Sequence, residues 1–104
     1  MKVAVLSQRR FDASKMQKIN LFETERFFLD VYCLEPGQSQ KAHAHAGSDK
    51  IYAVLDGAII ARVDGEEREL RAGDAVLAPA GSEHGIENRS SARAAVLAFM
   101  APKP

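Results

Sequence analysis

Neither sign of charge is in excess in this sequence: Lys and Arg number 14, as do Asp and Glu, so the formal net charge is zero. No global field then favours nucleic acid or an anionic membrane, and neither is expected as a partner. Cysteine is almost missing. The single Cys33 excludes an intramolecular disulfide, and between Tyr32 and Leu34 it reads as a small buried hydrophobe and not as a reactive thiol. No apolar run approaches the roughly 20 residues that a membrane-spanning helix requires. The N-terminal run Val3 to Leu6 is too short for a secretion-signal core and is followed by Gln8, Arg9 and Arg10, so a cytoplasmic location is the expectation. A phosphate-binding glycine loop, a CxxC pair and a nucleophile elbow are also missing, which leaves no common nucleophilic or nucleotide-binding arrangement.

What is present is a chain of 104 residues, 46% hydrophobic and 27% charged, ordinary for one globular domain over residues 1–104. Short apolar runs punctuated by turn residues dominate it. Phe27 to Leu34 ends at Pro36-Gly37, and from there Gly57, Gly65, Gly73 and Gly81 recur at a spacing of eight. Asp56-Gly57 and Asp64-Gly65 are hairpin signals. Ile51 to Leu55, Ala58 to Val63, Glu67 to Arg71, Ala75 to Ala78, Glu83 to Glu87 and Ala92 to Met100 are strand-sized, which predicts an all-β sandwich or barrel. Residues 1–24 lack a sustained period and are read as an N-terminal extension or edge strands. Within them Val3 to Leu6 is expected to form a short strand, and Asp12 or Ser14 to cap one helical turn through Met16.

All three histidines fall between Gly37 and Asn88. His43 and His45 are one residue apart, so on a strand both rings leave the same face, and His84 is placed to join them from another strand. Neutral imidazole is a common ligand for zinc, copper, nickel and iron.

The same stretch resembles the cupin family. Its first motif, Gly, five residues, His-x-His, three or four residues, Glu, six residues, Gly, is matched by Gly37, His43, His45 and Gly57, with Lys50 standing where the family has glutamate. The second motif is matched by Gly73, Pro79, Gly81, His84 and Asn88. The resemblance implies a single-domain, cupin-type jelly-roll β-barrel with its motifs at 37–57 and 73–88, and a homodimer. It implies a divalent transition metal (iron, manganese, nickel or zinc) on His43, His45 and His84, facing a pocket for a small-molecule ligand. Lys50 leaves three arrangements open: it swings aside from a three-histidine site, its ammonium occupies the metal's place, or Asp49 supplies the carboxylate across a bulge. If Lys50 faces inward, so do Tyr52 and Val54, while Ile51, Ala53 and Leu55 face a covering strand or partner. Lys50 and Tyr52 are then the polar anchors of the substrate pocket; Gln38 and Gln40 are within reach of its mouth as hydrogen-bonding groups but are read first as solvated loop residues. Two functions fit: a metal-dependent oxygenase acting on a small anionic organic substrate, or a non-catalytic binding or sensing module, with or without metal.

Overall fold

The computed structural model describes residues 1–104. Nine strands carry the fold: β1 Gln17–Glu23, β2 Phe28–Leu34, β3 Ser39–Ala44, β4 Asp49–Asp56, β5 Ala58–Val63, β6 Glu66–Arg71, β7 Ala75–Ala78, β8 Glu83–Glu87 and β9 Ala94–Ala101. They form two antiparallel sheets in the orders β1-β2-β9-β4-β7 and β3-β8-β5-β6, the two walls of a jelly roll. No helix is long and apolar enough to cross a membrane.

Period-two alternation explains the core between the walls. Tyr32 and Leu34 of β2, Tyr52 and Val54 of β4, and Ala94, Val96 and Ala98 of β9 meet Ile59, Ala61, Leu70 and Ile86 of the other sheet. Each large side chain so buried contributes about 1.5–3 kcal/mol. The opposite parity of the first sheet makes a second cluster of Ile19, Val31, Cys33 and Ala95, covered by Val5 and Phe11 from the N-terminal segment. Leu55 joins that cluster, so part of the outer face of β4 is covered by the chain itself.

The N-terminal segment departs from expectation. Val3 to Leu6 is not a strand; Val5–Gln8 is a 3-10 turn. Asp12 caps no helix either, because its carboxylate accepts from the Ser14 amide at 2.8 Å and hydroxyl at 2.6 Å, closing a local turn. Gln38 holds this segment: its amide nitrogen donates to the Asp12 carbonyl at 2.6 Å, and its amide oxygen accepts from the Glu35 N–H at 2.8 Å. It is a tether and not a solvated loop residue.

The glycine rhythm also divides. Asp64 and Gly65 both have positive φ, 49° and 82°, and close a two-residue hairpin between β5 and β6. Asp56-Gly57 makes no hairpin, because β4 and β5 belong to different sheets; it is the corner where the chain crosses between walls. Gly57 has φ 76°, and a Cβ there would lie 2.4 Å from the Arg93 carbonyl oxygen and 3.0 Å from the Ala94 Cα. At Gly65 a Cβ meets nothing. Gly57→Ala is therefore expected to cost on the order of 3 kcal/mol, against about 1 kcal/mol for Gly65→Ala, as read by urea unfolding. Equal losses would mean that Arg93 and Ala94 yield without strain.

Candidate metal centre and ligand pocket

The site begins with an irregularity in β3. Gln40 faces Ile86 but His43 faces His84, so one extra residue of β3 is inserted between these pairs. Gly85 makes room for the bulge: a Cβ on it would lie 2.7 Å from the Gln40 carbonyl oxygen and 3.0 Å from the Ala42 nitrogen. His43 thereby sits directly across from His84. His45 follows the end of β3, where its carbonyl accepts from the Gly81 amide at 2.9 Å, tying it to the turn that launches β8. Gly37, Gly73 and Gly81 of the motifs donate through their backbone amides, whereas the fully buried Asn88 side chain donates to the Leu34 and Ala92 carbonyls at 3.0 and 2.8 Å.

The three imidazoles converge. Ring centres of His43 lie 4.9 Å from His45 and 4.5 Å from His84, and one ring nitrogen of each residue lies within 4.8 Å of the others. Hydrogen bonds select the tautomers. His43 Nδ1 donates to the Lys41 carbonyl at 2.8 Å and His84 Nδ1 to the Ser82 carbonyl at 3.1 Å, which leaves both Nε2 atoms as lone-pair donors. His84 Nε2 is buried without any partner. Burial, with smaller contributions from the neighbouring cationic groups, pushes the His84 pKa down to about 4. Burial and the neighbouring His43 lower that of His45. A buried lone pair with no donor is costly on its own, and a divalent cation is the partner that three neutral imidazoles fit.

Opposite the histidines stands Lys50. It faces inward with Tyr52 and Val54, all three at most 2% exposed. Its ammonium donates to the Tyr32 hydroxyl at 3.0 Å and lies 5.0 and 5.1 Å from the centres of the Tyr32 and Tyr52 rings. It bonds to no imidazole, so it does not take the metal's place. Asp49 is not a ligand: β4 is regular from Asp49 to Val54, so its carboxylate leaves the other face and accepts from the Ala80 amide at 2.8 Å. Glu83 likewise is exposed on the far side of β8.

Sequence did not single out Tyr32, and it read Gln40 as a solvated loop residue, whereas Gln40 belongs to β3. Tyr32 binds Lys50, and Gln40 accepts a hydrogen bond from the Tyr52 hydroxyl at 2.6 Å. The alternation in β2 carried the signal for Tyr32; for Gln40 the signal was its place just before the histidine pair. Tyr32, Gln40 and Lys50, with Phe28 and Met100, line an open pocket of about 420 Å³ beside His43 and His45, and Tyr52 is buried behind this wall. A second concavity, on the outer face of β3 and β8, holds Arg62 and Arg89, but both are paired with Glu67.

Burial, reinforced by Lys18, pulls the Lys50 pKa down from 10.5 to about 8. Between these values the unfolded chain binds more protons than the folded one, so stability rises with pH from about 8 toward 10, below the range where Tyr32 titrates. Lys50→Met is expected to flatten that rise and to stabilise the protein at pH 7 by on the order of 2 kcal/mol. Urea unfolding at pH 7 and 9.5 with chelator present tests this; an unchanged slope would assign the pH dependence elsewhere.

Known proteins share this architecture. A family model described as the cupin domain matches residues 30–100. The tetracenomycin polyketide synthase protein TcmJ of Streptomyces glaucescens is 38% identical over 80 residues, 74% of this chain and 54% of that protein. The β-D-galactosidase Rv1717 of Mycobacterium tuberculosis is 33% identical over 78 residues, 75% of this chain and 66% of that protein. The chain thus spans about half the length of the first relative and about two thirds of the second. The crystal structure of TT1209 from Thermus thermophilus superposes with a TM-score of 0.95 at 45% identity over all of both chains.

Proposed function

Because the chain belongs to the cupin family, we propose that His43, His45 and His84 hold one divalent transition metal, iron, manganese, nickel or zinc, in an oxygenase-type enzyme for a small anionic organic substrate. The unpartnered Nε2 of buried His84, facing two more imidazoles, is the observation that carries this reading. A bound ion would supply Lewis acidity, with positions beyond the three histidines left for substrate and for dioxygen or water. The protein's own groups do the rest. Lys50, braced by Tyr32, attracts and orients an acid group, and Gln40, held in place by the buried Tyr52 hydroxyl, limits where the substrate can lie.

The two relatives bear names as different as a polyketide synthase protein and a galactosidase, so the fold alone does not select the reaction. Lys50 favours a second reading, since a positive charge beside the histidines weakens a metal: a non-catalytic binding or sensing module anchored by Lys50 and Tyr52. Oxygen uptake by iron- or manganese-loaded protein, offered a panel of small organic acids, separates the two. Uptake that requires both metal and acid supports the enzyme; binding without uptake under either metal supports the module.

A homodimer belongs to the same proposal. Leu29, Phe99, Ile51 and Leu77 are successive cross-strand neighbours on the outer face of the first sheet, and Ile51 and Leu77 are 38% and 53% exposed. A second copy laid on this stripe would cover it.

A further inference from the structure

We infer that the pocket takes a small organic dianion: one acid group lies at Lys50 and Tyr32 in its depth, the other at Lys18 and Lys41 at its mouth, and an apolar spacer runs along Phe28 and Met100. This rests on the reading of the pocket as the ligand site and names what that ligand is.

Positive charge in the pocket is uncompensated. The chain as a whole is neutral, and none of its eight ion pairs uses a lysine of the pocket. Three lysines line the pocket and no acidic side chain does. The charges of Lys18 and Lys50 both act on Asp30, on the same face of β2 as Tyr32. It is engaged by the Asn20 amide at 2.8 Å and forms no ion pair with either lysine. Counting side chains alone, three ammonium groups face one carboxylate; even with the terminal carboxylate of Pro104, which also lines the pocket, the wall stays net positive, as suits an anion with a second acid group.

Geometry sets its size. Lys18 Nζ lies 5.3 Å and Lys50 Nζ 5.0 Å from the centre of the same Tyr32 ring, so the two are no more than about 10 Å apart. A short, flexible spacer bridges that distance while each acid group keeps hydrogen-bond contact with its ammonium. Phe28, half-buried, and Met100, 1% exposed, offer that spacer an apolar wall. In the outer concavity, which Lys41 also borders, Arg62 and Arg89 are both ion-paired with Glu67 or Glu87, so their charge is already engaged.

Calorimetric titration of the full chain tests the inference with succinate, glutarate and adipate against butyrate, valerate and hexanoate, once with metal loaded and once with chelator. The best-fitting dicarboxylate is expected to bind at least about tenfold more tightly than its monocarboxylate partner, a preference that shrinks with added salt. Lys18 and Lys41 are exposed, so the double variant Lys18→Ala, Lys41→Ala should fold normally. It should bring the ratio close to one, with dicarboxylate affinity falling far more than monocarboxylate affinity. Equal wild-type affinities, a preference that survives the double variant, or no binding of either series would overturn the inference. Failure of the metal centre is read separately, from metal content, and a dianion preference in the chelated protein stands without it.

Discussion

Protein prepared without chelators is expected to carry about one transition-metal ion per chain, and His84→Ala to lose it. His84 presents an already dehydrated lone pair whose tautomer is set by the Ser82 carbonyl, so most of the cost of preparing that ligand is met in the folded chain. Removing it leaves two imidazoles at the more open end of the site, and affinity should fall by more than about a hundredfold. His43→Ala should act in the same direction. Elemental analysis gives the content, and competition with a chromophoric chelator gives the affinity. Wild-type protein that stays metal-free after exposure to iron, manganese, nickel and zinc would overturn the centre; uptake undiminished by His84→Ala would move it elsewhere.

Lys50→Glu should change the site in the opposite sense. It replaces an inward cation with a carboxylate at the position where the cupin motif has glutamate, so metal affinity is expected to rise at least about tenfold. The gain is conditional on the ion. Without metal, a carboxylate buried beside Tyr32 and Tyr52 is driven toward its neutral form and destabilises the fold. The variant should therefore melt below wild type in chelator and gain more than wild type on metal addition. Unchanged affinity in a competition titration would mean that the side chain at position 50 stays turned toward Tyr32 and never reaches the ion.

The sequence was informative wherever the physics is local. Strand alternation from Phe28 to Leu34 and from Asp49 to Asp56, and a histidine pair two residues apart, carry their consequences within a few residues. Lys50, Tyr52 and Val54 face inward as parity predicts. The glycine turns were ambiguous because a hairpin and a corner both ask for positive φ. The pairing that distinguishes them joins β4 to β9, far along the chain. The N-terminal segment was misread for a related reason: Asp12 satisfies its neighbours locally, and a side chain from Gln38 completes the turn. The alternation of β2 turns Tyr32 inward, but its contact with Lys50 is made across β9, and Gln40 reaches Tyr52 from a strand with one extra residue; neither contact is local in sequence.

Cys33 lies fully buried beneath Val5 and Phe11. Burial also raises its thiol pKa, so a sulfhydryl reagent can reach and react with it only when the covering segment lifts. The rate of its modification is thus a built-in timer for the detachment of the N-terminal arm, readable without any introduced label. Compared with and without a ligand, that timer reports whether filling the pocket on one face of β2 slows the breathing of the cover on the other.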